Sequence, residues 1–261
     1  MKRQHGYQLQ QLYPEVAAGG FTRVDGTIAF FIRVNALVTP DSQVLDFGAG
    51  RGEWMEDELS PYRKRLRNLR GKAAMVIGAD VDPAVRGNGS LDHAVVIHPD
   101  DRLPWDDGTF DVIVADWTFE HIQRAELVSS ELARICKPDG WVCARTPNKY
   151  GYVALLTNMI PNRYHASVLR HAQPRRQAVD IFPTVYRMNT RKRLSHLFPG
   201  FKQATFVHTP EPSYAADSIP VTRFLRLADG LLPTAVGSTL HVFMQKPEKT
   251  RSITQRQPQL S

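Results

Sequence analysis

The sequence has almost no cysteine: Cys136 and Cys143 are the only two among 261 residues. A disulfide framework needs more than this, and zinc is normally held by four ligands, which do not cluster around either thiol. Both cysteines read as buried, reduced core residues, and no metal is expected. The chain also lacks any apolar run of the roughly 18 residues that a membrane-spanning helix requires. Its start, MKRQHGYQLQQL, is basic without the apolar centre of a signal peptide, so a cytoplasmic location is expected. There is no internal repeat and no low-complexity linker. Acidic residues are outnumbered, 26 against 33 Lys and Arg, for a formal charge of +7. Part of that surplus lies in one run, RKRLRNLRGK at 63–72, where Arg63, Arg67 and Arg70 are spaced to share one helical face while Leu66 and Leu69 pack inward. A solvated helix face explains this run better than a phosphate-tracking patch does.

What is present is ordinary globular composition, 42% hydrophobic and 23% charged, in a chain long enough to bury one sizeable core. Helix is expected over 26–38, where Phe31, Val34, Leu37 and Val38 fall on one side and Pro40-Asp41 closes it. Short β-like runs occupy 44–47, 74–79, 94–97, 112–115, 141–145 and 204–208, mostly separated by helical or turn-rich stretches, which is the pattern of a parallel sheet. Between the fourth and fifth runs, Ile122, Ala125, Val128, Leu132 and Ile135 keep helical spacing, and Lys137-Pro138-Asp139-Gly140 is expected to end that helix. A helix over 221–232 and a last strand over 239–244 complete the series. The stretch 147–200 is longer than a crossover needs, and connections of that size usually carry function.

The most informative segment is VLDFGAGRG at 44–52, an apolar strand followed by Gly48, Gly50 and Gly52. A nicotinamide G-x-G-x-x-G fingerprint would need glycine where Glu53 stands, and a Walker loop would need the missing Gly-Lys-Ser/Thr. Asp46, two positions before the first glycine, would repel a phosphate but could hold an ammonium group. The alternative is a tight turn with no ligand. The second strand ends in VIGAD, placing Asp80 where an acid can accept both ribose hydroxyls, while Asp82 caps the helix starting near Pro83. In HPDDRLPW, Asp100 or Asp101 could accept from an adenine amine beside Leu103 and Trp105, or either could be surface decoration.

Taken in order, VLDFGAGRG, GADVDP, LPWDDGTFDVIVADWTFEHI and ELARICKPDGWVCARTPN resemble the class I S-adenosylmethionine-dependent methyltransferases, in particular the type 11-like bacterial small-molecule group. The resemblance covers 44–148 and is silent on the acceptor. It implies an α/β, Rossmann-like, doubly wound three-layer sandwich around a seven-stranded, mostly parallel sheet of order 3-2-1-4-5-7-6, with the last strand antiparallel. It implies S-adenosylmethionine as cofactor, with Asp46, Gly48, Gly50 and Gly52 at its methionine end, Asp80 at ribose, Asp100 or Asp101 at adenine, and Asp116 and Trp117 near the sulfonium. On this basis 1–43 is expected to be an N-terminal helical cap or lid. The methyltransferase domain is expected over 44–246, with an acceptor-covering insertion at about 147–200, and 247–261 as a disordered tail.

His121, beside Glu120 and just past the fourth strand, is the candidate general base because it faces the end of the sheet where the cofactor belongs. The expected reaction is O-methylation of a small molecule or glycan. Tyr150, Tyr152, Tyr164, His165, Tyr186, Arg187 and Tyr214 could recognise such an acceptor or simply fill a lid. Hydrophobic 153–160 could touch a membrane surface, with lid packing the stronger explanation. The rival readings are an RNA or protein methyltransferase, suggested by the basic run, and a cofactor-binding scaffold without turnover.

Overall fold

The computed structural model describes residues 10–58, 60–152, 184–211, 223 and 233–248. The anticipated helix over 221–232, the stretch 153–160, the tail and the residues Tyr164, His165 and Tyr214 lie outside the described residues, in whole or in greater part.

The described strands are β1 (Gln43–Phe47), β2 (Met75–Asp80), β3 (His93–Val96), β4 (Phe110–Asp116), β5 (Cys136–Pro147), β6 (Lys202–Gln203), β7 (Phe206–His208) and β8 (Thr239–Gln245). They form one sheet in the order β3-β2-β1-β4-β5-β8-β6, with β7 also on β8. Pairings from β3 through β5 are parallel and β8 runs antiparallel to its neighbours. This is the anticipated order, except that of the sixth expected strand, 204–208, only 206–208 is strand, as β7, preceded by a separate β6 at 202–203; between them Ala204 N–H reaches Phe243 O at 2.8 Å.

Side chains alternate across the sheet with a period of two, so each central strand feeds two cores. Val44, Val112, Val114, Cys143 and Phe243 join Phe30, Phe31 and Val34 of helix α1 (Gly26–Leu37) on one face. Leu45, Ile113, Val142, Ala144, Leu240, Val242 and Met244 meet the other face, covered by Leu132 and Ile135 of α4 (Ala125–Ile135) and Leu194 and Leu197 of α5 (Arg191–Leu197). The short helices α2 (Trp54–Asp57) and α3 (Pro61–Arg67) follow the glycine loop. Asp25 caps α1 by accepting from Ile28 N–H at 2.9 Å, and Thr190 caps α5 by accepting from Arg193 N–H at 3.1 Å. The Lys137–Gly140 segment is drawn into the start of β5 rather than standing as a separate turn. Asp139 there takes a φ of 61° and the pairing with β4 shifts register. Both cysteines are buried and free, and burial pushes the Cys136 thiol up to about 12. No helix among the described residues is long and apolar enough to cross a membrane.

Candidate active site

Strands β1, β2 and β4 carry an acid at or near their carboxyl ends, Asp46, Asp80 and Asp116, and the glycine loop lies among them. Gly48 donates its N–H to Ala79 O at 2.7 Å and adopts a φ of 77°. A β-carbon there would fall 2.3 Å from Thr118 Oγ1, which itself donates to Phe47 O at 3.1 Å. Gly50 is different: its φ is 57°, but nothing stands within 4 Å of the place a β-carbon would take. Only at Gly50 does the missing side chain leave space for a ligand; Gly48 and Gly52 are glycine because Thr118 and Asn88 press against them. Asn88 was not anticipated from sequence. It is buried and its amide donates to Ala49 O and Gly50 O, each at 3.1 Å, fastening the loop from below. Its only signal is the Asn-Gly pair after the turn that Asp82 caps.

An open cleft of about 510 Å³ runs from the loop along the sheet edge. Gly48, Gly50, Asp80, Asp100, Asp101, Trp117 and His121 all line it, with Ile97, Leu103 and Ile122 supplying apolar wall. The Asp80 carboxylate is oriented by two backbone donors, Gly50 N–H at 2.8 Å and Asp82 N–H at 2.9 Å, and Asp82 caps Ala84 N–H at 2.9 Å as anticipated. Asp100 is bonded to Arg124 at 2.8 Å, and that bond lowers its pKa; Asp101 has only a 3.9 Å contact with His98. Trp105 does not reach the cleft wall and packs edge-on against Phe110 at 5.2 Å. His121 ends the 3-10 turn Phe119–His121 and is largely enclosed, its Nε2 standing 3.9 Å from Glu120 Oε1. Buried Glu120 accepts from Thr146 Oγ1 at 2.9 Å, and Thr146 in turn accepts from Asn189 Nδ2 at 2.6 Å.

Behind the loop lies a second, smaller cavity of about 50 Å³, bordered by Asp46, Gly48, Trp54, Arg67, Ser90 and Asp116. Asp116 and Trp117, expected side by side near one point, are therefore divided: Trp117 faces the open cleft and Asp116 the inner cavity. The divergence comes from Trp117, which takes a left-handed φ of 59° rare for a bulky residue, with Arg145 lying 5.2 Å over its ring. Arg145 also grips Asp116 in bidentate fashion at 2.7 and 2.8 Å. Burial, followed by the nearby Asp116 charge, raises the Asp46 carboxyl to about 7. Gly52 borders neither space.

The basic run departs from the solvated face expected of it. Helix α3 ends at Arg67, so Arg70 lies beyond it and pairs with Asp92 at 2.9 Å. Arg63 turns inward to Asp25 and Glu58, and Arg67 turns inward to Asp116. Leu69 is buried and Leu66 partly so, as the pattern implied.

A family model described as a methyltransferase domain matches residues 22–195. No protein of curated function matches the sequence. Among solved structures, the Haloferax volcanii protein crystallised with the Trm112 methyltransferase activator is 18% identical, with a TM-score of 0.51 over 85% of this chain and 90% of that one. An S-adenosylmethionine-dependent methyltransferase from Archaeoglobus fulgidus is 17% identical, with a TM-score of 0.51 over 84% and 92%. The cyclase SpnF is 16% identical, with a TM-score of 0.51 over 93% and 94%, so the fold by itself does not fix the chemistry. The family match spans well over half of the sequence, including the glycine loop and the carboxyl ends of the first five strands, and this chain belongs to the methyltransferase-domain family.

Proposed function

We propose that this protein methylates an oxygen atom of a small-molecule or glycan acceptor, with His121 receiving the proton. The observation that carries this reading is that His121 lines the same cleft as Gly50 and Asp80. The residues fit the cofactor: Gly50 leaves open space, Asp80 keeps lone pairs beyond its two backbone bonds, and about 510 Å³ is within the range of small-molecule sites. When bound, S-adenosylmethionine supplies a methyl carbon already activated by the sulfonium. In this reading Asp80 accepts from ribose hydroxyls and Asp100 or Asp101 from the adenine amine. Asp46 receives the ammonium, while Asp116 and Trp117 flank the sulfonium region.

His121 then removes the acceptor's hydroxyl proton at its imidazole. Alignment can supply about 7–11 kcal/mol of such a displacement, and a positioned base roughly 10²–10⁴ in rate. The acceptor cover belongs to the part of the 147–200 stretch before α5, since α5 packs on the sheet. What supports this is that Lys149 N–H bonds Asn189 O at 3.1 Å, so the chain between them leaves and returns at neighbouring points. The 1–43 segment contributes a cap only through its beginning, since α1 packs on the sheet. The RNA reading loses support, because Arg63 and Arg70 of the basic run pair with protein acids.

The test has two stages. Calorimetry with S-adenosylhomocysteine establishes binding, and a panel of hydroxylated acceptors is then assayed for methylated product. His121→Ala is expected to lower turnover at least a hundredfold while leaving cofactor affinity within twofold. Unchanged turnover removes His121 from the mechanism.

A further inference from the structure

The inner cavity behind the glycine loop is bordered by an arginine whose pairing is incomplete. Arg67 closes α3, and its stem passes over Trp54, with the guanidinium carbon 4.7 Å from that ring and 5.8 Å from the ring of Phe31. Its Nε is buried and has no hydrogen-bond partner among the described residues. The one bond described for its guanidinium is a long contact of 3.5 Å from a terminal nitrogen to Asp116. Asp116 does not depend on that contact, because Arg145 already gives it two short bonds. A guanidinium carries five donors, and leaving buried donors unmet is costly. Arg63, one turn earlier, also has an unmet Nε, but its terminal nitrogens reach two carboxylates, Asp25 and Glu58, and it does not border the cavity. Arg67 is thus the cation of this group that faces the cavity with capacity to spare.

The charges around the cavity say which ligand it suits. Asp46, Asp116 and Arg67 line it, and Arg145, from behind that lining, neutralises Asp116, so the acids and bases balance. A phosphate would bring a dianion against both acids. A zwitterion adds one charge of each sign and keeps the balance, its planar carboxylate matching the guanidinium fork. Gly48 borders both the cavity and the open cleft, so a molecule lying along the cleft can extend past it.

We infer that Arg67 holds the carboxylate of the cofactor's amino-acid end, opposite Asp46, which takes the ammonium of the same group. This assignment rests on the S-adenosylmethionine reading and adds to it a binding residue from the basic run. Engagement requires Arg67 to exchange its long contact with Asp116 for the ligand, which the small volume of about 50 Å³ makes a local rearrangement rather than simple filling.

Calorimetry with two nucleosides tests it without turnover. S-adenosylhomocysteine has the amino-acid end and 5′-methylthioadenosine lacks it. Arg67→Gln is expected to weaken S-adenosylhomocysteine about tenfold to a hundredfold and to leave 5′-methylthioadenosine within twofold, with Arg67→Lys intermediate. Equal weakening of both ligands, or no weakening of S-adenosylhomocysteine, overturns the assignment. If Arg67→Gln does not fold, wild-type protein titrated with S-adenosylmethionine and its decarboxylated form decides: a ratio below threefold overturns it. Wild-type protein that binds none of these nucleosides overturns the cofactor reading itself, whereas binding of 5′-methylthioadenosine without preference for the amino-acid end overturns only the role of Arg67.

Discussion

The two spaces that meet at Gly48 are built on opposite electrostatic terms. In the open cleft the charged groups are solvated or held by backbone: Asp100 and Asp101 are more than half exposed, and Asp80 is aimed by two main-chain N–H groups. At the inner cavity Asp46, Asp116 and Arg67 face one another and Arg145 holds Asp116 from behind, with the Arg145 and Asp116 side chains only 5% and 9% exposed. Water screens the first set, so each member is dispensable for folding; the second set has little but itself for solvation. The contrast teaches where substitutions should report on binding alone and where they should report on stability as well.

The largest effect is expected where that dependence is greatest. Arg145→Met would strand Asp116 beside Asp46 with only the long Arg67 contact remaining, and removing one partner of a buried pair costs about 3–5 kcal/mol. Urea denaturation measures this, and a loss below about 1 kcal/mol would show that the cavity is better solvated than the burial of these side chains implies. Next is a pH effect with a defined sign. Asp46 is raised from 3.8 to about 7, so the folded chain binds its proton more tightly than the unfolded chain does. Its contribution to stability is therefore greatest below the unfolded value and is lost as pH rises through that window, with a slope of up to about 1.4 kcal/mol per pH unit. Asp46→Asn lacks this slope. The variant should be more stable than wild type at pH 8, with the gap closing toward pH 5; parallel stability curves would place the carboxyl in water instead.

The glycine loop separates the two regions within five residues. Gly48→Ala and Gly50→Ala share a left-handed backbone cost of roughly 1–2 kcal/mol. The first also drives a methyl group to within 2.3 Å of Thr118 Oγ1, adding about 1–3 kcal/mol of overpacking. The second meets only the cleft. Gly48→Ala should thus melt markedly lower than Gly50→Ala, while Gly50→Ala should lose more S-adenosylhomocysteine affinity than its modest destabilisation suggests. Equal melting temperatures would mean that Thr118 moves aside.

Much of the open cleft was legible in the sequence because its parts are local. A strand of alternating faces runs into glycines, an acid ends the next strand, and Asp82 before Pro83 declares a cap. The inner cavity was not, because its pairs join distant positions: Arg145 to Asp116 across 29 residues and Arg67 to Asp116 across 49. Helical spacing placed Arg63 and Arg67 on one face but not which way that face turns, and it extended the helix past its true end at Arg67. One clue was available. Arg145 closes the apolar run WVCAR, and in a parallel sheet the end of that strand stands level with Asp116 at the end of the one before it, the register the structure shows. The break between β6 and β7 has no comparable signature, since Ala204 keeps a backbone bond to β8 between them.

The smallest expected effect concerns the acids at the outer rim, and it decides between them. Asp100 has committed one oxygen to Arg124, whereas the contact from Asp101 to His98 is too long for a hydrogen bond. Both side chains are exposed, so Asp100→Asn and Asp101→Asn should each leave the melting temperature unchanged. Their effect belongs to the nucleoside: one substitution should weaken 5′-methylthioadenosine by up to about tenfold, the range of a single hydrogen bond to a charged acceptor partly open to water, and the other should leave it alone. Arg124→Gln sharpens the assignment. If Asp100 is the adenine acceptor, freeing it from Arg124 changes nucleoside affinity in wild-type background but not in Asp100→Asn; if Asp101 is, Arg124→Gln is silent in both. Two silent rim acids would move adenine recognition to the backbone and the apolar wall around Leu103, leaving the cleft with Asp80 as its one carboxylate that matters for binding.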